Sequence, residues 1–115
     1  MAAIPSLPLL PVEEYIARFI DGNEKPSCEY VEGELFLRPM ATKEHSRVQK
    51  NIIVAIERGY GERFEPLPEL TAQLRETRFL IPDIAVQDRE HPIQGRYAGP
   101  RDSVFLCVEI KSPLD

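Results

Sequence analysis

Two short apolar runs limit what this chain can fold into: Ile81-Pro82-Asp83-Ile84-Ala85-Val86, and Val104-Phe105-Leu106-Cys107-Val108-Glu109-Ile110-Lys111. Each is of strand length, rich in β-branched residues, and carries ionisable groups within it or at its end. Side chains alternate along a strand, so Val104, Leu106, Val108 and Ile110 share one face, and Phe105, Cys107, Glu109 and Lys111 the other. Glu109 and Lys111 then point the same way, about 7 Å apart at the usual rise of about 3.3 Å per residue. A carboxylate and an ammonium at the end of a buried strand are costly unless something uses them. If the strand bearing Asp83 pairs beside the second run, Asp83 and Glu109 converge and can hold a hard cation between their oxygens.

At 115 residues the chain has room for one domain, spanning 1–115, with residues 1–10 as a proline-punctuated arm. Its net charge of −5 speaks against simple electrostatic wrapping of nucleic acid, which leaves a basic footprint. A carboxylate-built metal site would account for some of that excess. Cys28 and Cys107 form no CxxC knuckle and read as small buried apolar residues. The start of the chain lacks a basic n-region and is broken by Pro5, Pro8 and Pro11, unlike a signal peptide. No apolar run approaches the roughly 20 residues a bilayer span needs, so the expectation is a cytoplasmic protein with no membrane partner.

In chain order, Pro11 suits the first turn of a helix over Val12–Ile20, with Glu13 and Glu14 near its positive end and Asp21-Gly22-Asn23 as its stop. Ser27–Val31 and Glu34–Arg38 read as a hairpin turning at Glu32-Gly33. Thr42 is a good N-cap for a helix over Lys43–Gly59, with His45, Val48, Ile52 and Ile56 on one stripe and Ala55 beside them. Phe64–Pro68 is a short proline-limited segment. Leu70–Leu74 and Arg78–Val86 read as strands turning at Arg75-Glu76-Thr77. Residues 88–102 form a long polar connection, functional or disordered. The last strand is Val104–Lys111. The order helix, hairpin, helix, strands is α+β: one mixed central sheet with helices against a face.

These pieces resemble the PD-(D/E)xK nuclease signature, with Pro82-Asp83 on one core strand and Glu109-Ile110-Lys111 on the next. The wider context resembles one branch of it, the Uma-two family. Its hairpin motif appears as Cys28-Glu29-Tyr30-Val31-Glu32-Gly33-Glu34-Leu35, its early helix histidine as His45, and its last strand as Val108-Glu109-Ile110-Lys111-Ser112-Pro113. Together the motifs span residues 12–115. The resemblance implies a restriction-endonuclease-like fold and metal-dependent hydrolysis of phosphodiester bonds, with DNA as substrate and Mg²⁺ or Mn²⁺ as cofactor. Asp83 and Glu109 would be metal ligands, the Ile110 carbonyl a third, and Glu29 a further candidate. Lys111 would orient or activate the attacking water, and His45 would lie near the pocket. Oxygen ligands suit such ions, which stabilise the charge gathered at the phosphorus. Family members continue with a further helix and strand, so the fold is expected to be C-terminally shortened, with a homodimer partner covering the edge left open.

Taken singly, each residue has a plainer reading. Asp83 after Pro82 suits a turn, Glu109 with Lys111 an edge-strand ion pair, His45 a core histidine and Glu29 a cross-strand charge partner. Arg89, His91, Arg96, Tyr97 and Arg101 suit a solvated loop better than a phosphate grip, since Asp88, Glu90 and Asp102 dilute their charge. The competing functional reading is a non-catalytic, dimerising or nucleic-acid-binding regulatory module on the same scaffold.

Overall fold

The computed structural model describes residues 9–111. The arm up to residue 8 and the Ser112-Pro113 end of the last motif lie outside them. Helix α1 (Val12–Tyr15) opens behind Pro11 and widens into a π-helical segment, Ile16–Asp21. The widening ends at Gly22, whose N–H donates to the Ala17 carbonyl five residues back over 2.9 Å. A Cβ at Gly22 would lie 2.8 Å from the Arg18 carbonyl oxygen, so the close return of the chain requires glycine there.

Strands β1 (Cys28–Val31) and β2 (Glu34–Leu37) form the expected hairpin. Its turn places Glu32 at φ 50° and Gly33 at φ 91°, the double left-handed conformation that matches strand twist. Helix α2 (Lys43–Tyr60) begins at Thr42, whose Oγ1 accepts from the His45 N–H over 3.1 Å. There follow β3 (Phe64–Pro68), β4 (Ala72–Arg75), β5 (Arg78–Leu80), β6 (Ile84–Asp88) and β7 (Val104–Val108).

The α+β reading holds, but the strands divide between two sheets instead of closing one mixed sheet. One sheet has the order β2-β1-β5-β4 and the other β3-β6-β7, and every pairing within them is antiparallel. The division falls where Arg78–Val86 was expected to run on as one strand. Pro82 has no N–H to give a ladder, and the chain leaves the first sheet after Leu80 and enters the second at Ile84. The interruption, Ile81-Pro82-Asp83, is buried throughout.

The first sheet packs on α1 through Tyr15, Tyr30 and Phe79, all at most 2% exposed. Tyr15 stands 4.8 Å from Tyr30 and 5.0 Å from Phe79, centroid to centroid, distances at which aromatic rings add to the gain from burial alone. Each tyrosine hydroxyl donates to a carbonyl, Tyr15 to Cys28 over 2.8 Å and Tyr30 to Leu10 over 2.6 Å. In the second sheet β6 is the buried centre and β7 an edge, with Phe105 61% and Leu106 47% exposed. The last strand is therefore not the buried strand its composition suggests, and Cys107 is exposed while Cys28 is buried.

Helix α2 lies against β3. Its inward stripe is His45, Gln49, Ile52, Ile53 and Ile56, with Val48 and Ala55 turned to solvent. His45, Ile52 and Ile56 of the expected stripe do face inward, but polar Gln49 takes the place expected of apolar Val48. Gln49 turns inward because its Nε2 donates to the Asp83 carbonyl over 2.7 Å. The 88–102 connection is tied into the first sheet at its far end. Ala98 is 1% exposed, accepts from Gln73 N–H over 2.7 Å and donates to the Thr71 carbonyl over 2.9 Å.

Candidate active site at the junction of the two sheets

Asp83 sits one residue before β6, and Glu109 one residue after β7. The register pairs Ile84 with Val108, so the next step along both chains sets Asp83 opposite Glu109. The Ile110 N–H donates to Asp83 Oδ2 over 2.7 Å, which fixes the end of the second run onto the aspartate. The Glu109 carboxyl approaches closely enough to hydrogen-bond to Asp83 when protonated. Two acids remote in sequence thus meet at the sheet end.

The other oxygen of Asp83 has two partners. Arg38 Nη2 lies 2.9 Å and His45 Nε2 3.1 Å from Oδ1. Arg38 reaches in from just past β2, and also donates through Nη1 to the Ile81 carbonyl. Glu29, on β1, accepts from the Ile81 N–H over 2.6 Å and lies 3.9 Å from Arg38 Nη1. Glu69, in the left-handed conformation at φ 52°, places Oε1 3.9 Å from Arg38 Nη2, and its N–H donates to the Asp83 carbonyl over 3.2 Å. His45 Nδ1 is buried and has no hydrogen-bond partner among the described residues.

The electrostatics follow from that crowding. Burial pushes the Asp83 carboxyl upward, but the Ile110 N–H, the Arg38 guanidinium and His45 outweigh it and hold the group below its ordinary value. Glu109 is exposed as a residue, yet its carboxyl is displaced the other way, by partial loss of hydration first and then by the negative charge of Asp83, with Glu29 adding to it. Neighbouring carboxylates pushed apart in this way mark sites where charge is managed for a purpose, though structural networks do the same.

The sequence-picked residues Glu29, His45, Asp83, Glu109 and Ile110 therefore lie in one place. Of Ile110, it is the N–H that is engaged. Lys111 is exposed and forms no ion pair among the described residues. Sequence reasoning passed over Arg38, Gln49 and Glu69. Arg38 was read only as the end of a strand, and its proximity to Asp83 depends on how β1, β2 and the 81–83 crossing pack. The i, i+4 spacing of His45 and Gln49 was a signal that could have been used.

Among the described residues, Asp88, Glu90 and His91 bring three potential ligand atoms within 4.8 Å of one another, a closeness the acids and histidine around Asp83 do not reach three at a time. Arg63 already meets its charge, with Nη2 3.1 Å from Asp88 and 3.3 Å from Glu90. At the first site an ion would find oxygen donors in excess of the cations beside them. Asp83 and Glu29 lie beside the guanidinium of Arg38, with His45 as the other basic group at Asp83, and the negative charges of Asp83 and Glu29 add to the raising of Glu109. Asp83 and Glu109 are oxygen donors of the kind a hard divalent ion takes.

Comparison with known proteins sets this α+β fold beside nucleases. Residues 12–115 match the Uma2 family, described as "putative restriction endonuclease", and the chain belongs to that family. A solved structure from Anabaena variabilis ATCC 29413, described as "a putative nuclease belonging to DUF820", superimposes with a TM-score of 0.63 at 22% identity. The match covers 80% of this chain and 54% of that one, so the chain spans about half the length of this neighbour. No curated protein matches the chain. No helix among the described residues is long and apolar enough to cross a membrane.

Proposed function

We propose that this chain carries the active site of a divalent-metal-dependent endonuclease that hydrolyses DNA phosphodiester bonds. The observation that supports it is the meeting of Asp83 and Glu109 across the ends of β6 and β7. In this reading Asp83 and Glu109 hold Mg²⁺ or Mn²⁺, with the Ile110 carbonyl and Glu29 as further oxygen donors. The bound ion would supply polarisation of the phosphoryl oxygen and a more acidic water. Before an ion arrives, Asp83 is held ionised and oriented by the Ile110 N–H, Arg38 and His45. Lys111, two residues beyond Glu109 and exposed, orients the attacking water and sets its cation where negative charge gathers on the phosphorane. Gln49 and the Glu69 N–H fix the Asp83 backbone through its carbonyl.

Family membership supports nucleic acid as the substrate class, and DNA is our choice within it. The test is cleavage of plasmid and oligonucleotides with added Mg²⁺ or Mn²⁺. Wild-type cutting should vanish with chelator and with Asp83→Ala. Cleavage that survives that substitution would overturn the assignment.

The exposed edge strand β7, with Phe105 and Leu106 outward, favours a second copy of the chain as its cover. A homodimer would also suit a nuclease that cuts both strands. A non-catalytic regulatory module on the same scaffold would bind nucleic acid with no cutting and no metal-linked change in stability.

A further inference from the structure

Arg38 occupies the place where positive charge is needed most, and it has somewhere else to go. Its side chain is only 18% exposed and faces three carboxylates: Asp83 at 2.9 Å, with Glu29 and Glu69 each at 3.9 Å. The Asp83 and Glu29 side chains are 4% and 9% exposed, so neither is neutralised by water. The Glu69 side chain is 58% exposed. Arg38 and Glu69 both line a cavity of about 210 Å³, together with Lys25, Ser27 and Thr71. The cavity gives the guanidinium room to leave Asp83 while keeping Glu69 as its partner.

We infer that Arg38 is the resident counter-cation of the acid cluster and exchanges with the divalent ion, passing from Asp83 to Glu69 as the ion is taken up. The inference rests on the metal-dependent reading above, and adds to it a residue that sets metal affinity without being a ligand. A divalent charge on Asp83 repels a guanidinium on the same carboxylate, and that repulsion falls when Arg38 moves towards Glu69. Removing Arg38 then removes a competitor, and removing Glu69 removes the destination.

The experiment is calorimetric titration of the full chain with Mn²⁺. Arg38→Gln keeps a donor for the Ile81 carbonyl but drops the charge, and should bind about tenfold more tightly than wild type. Glu69→Gln should bind about threefold more weakly, and that loss should disappear in the Arg38→Gln background. Equal or weaker binding by Arg38→Gln overturns the inference while leaving the metal site standing. A Glu69→Gln loss that persists without Arg38 also overturns it, because Glu69 would then be a direct ligand. If neither wild type nor Arg38→Gln takes up Mn²⁺, the metal-dependent reading itself fails. Should Arg38→Gln not fold, the wild-type protein decides. The Arg38 Nε–H resonance should shift on adding Mg²⁺, and an unmoved signal counts against exchange.

Discussion

The Ile110 N–H donates to Asp83 Oδ2 over 2.7 Å, joining two residues 27 positions apart at the point where β6 begins and β7 has just ended. That bond, with Arg38 and His45 on the other oxygen, leaves Asp83 with three charged or polar partners in a nearly closed setting. Asp83→Asn retains the shape but loses the charge that all three address. It also leaves the Arg38 guanidinium, 18% exposed, without its closest carboxylate. We expect a loss of about 3 kcal/mol, read by urea unfolding at neutral pH. A loss under about 0.5 kcal/mol, the size of an ordinary surface change, would show that the network holds nothing in place.

Glu109 is expected to behave in the opposite way. Partial loss of hydration at the carboxyl and the charge of Asp83 raise its folded pKa above the ordinary value, while the unfolded chain titrates near the usual value of about 4.3. The stability this group contributes is complete below about pH 4.3 and is lost as pH rises through the raised folded value. Glu109→Gln removes that loss, so at pH 7 the variant should melt about 2 °C higher than wild type. Asp83 is displaced downward, so its contribution stands above about pH 3.9 and is lost as pH falls through the depressed value. Melting curves from pH 3 to pH 8 on wild type and Glu109→Gln separate the two windows. A Glu109→Gln protein that melts lower at pH 7 would contradict the repulsion between the two acids.

Much of this site could be read from the chain, and the rest could not, for physical reasons. Thr42 announces a helix start because a hydroxyl before a run of helix formers has a local partner, and its Oγ1 takes the His45 N–H. Glu32-Gly33 announces a hairpin because few residues accept two left-handed conformations in a row. Both signals are local. The separation into two sheets is not, since it follows from where β5 and β6 find partners on either side of Pro82. Cys107 and β7 were misplaced for the same reason: an edge strand and a central one share a composition, and only the sheet order distinguishes them. Arg38 carried no local mark at all. Its role comes from a contact with Asp83 spanning 45 positions.

The N-cap has a consequence beyond helix stability. Thr42 holds the first turn of α2, and that turn carries His45 to Asp83. Thr42→Ala should cost about 1 kcal/mol in urea unfolding, with Thr42→Ser close to wild type. It should also loosen His45, visible as a changed chemical shift for the ring. An unchanged ring environment despite the loss of stability would mean that packing by Gln49 and the isoleucine stripe fixes His45.

The aromatic core of the first sheet sets the position of β1, and with it Glu29. Tyr15 is 1% exposed, and its hydroxyl satisfies the Cys28 carbonyl one residue before Glu29. Tyr15→Phe keeps the ring contacts with Tyr30 and Phe79 and deletes that single bond. The cost should be about 1–2 kcal/mol, because a buried carbonyl is left without a donor. Phe79→Ala, at a fully buried position, should cost about 3–5 kcal/mol by opening a cavity under both tyrosines. If Tyr15→Phe is the more damaging of the two, the hydroxyl rather than the ring packing organises this layer.

Homodimer formation through β7 makes its own demand. Phe105 and Leu106 are 61% and 47% exposed on a strand whose outer edge has no partner among the described residues. Phe105 also packs against Phe64 of β3, the rings tilted by 30° with centroids 4.3 Å apart, so the exposed ring already has a partner and loses less freedom if a second copy covers it. Phe105→Lys sets a charge on that face and leaves the backbone able to pair. In sedimentation equilibrium the wild type should associate and the variant should be monomeric, with the dissociation constant rising at least about tenfold. Unchanged association in the variant would move the interface elsewhere, and a monomeric wild type would remove the homodimer from the proposal.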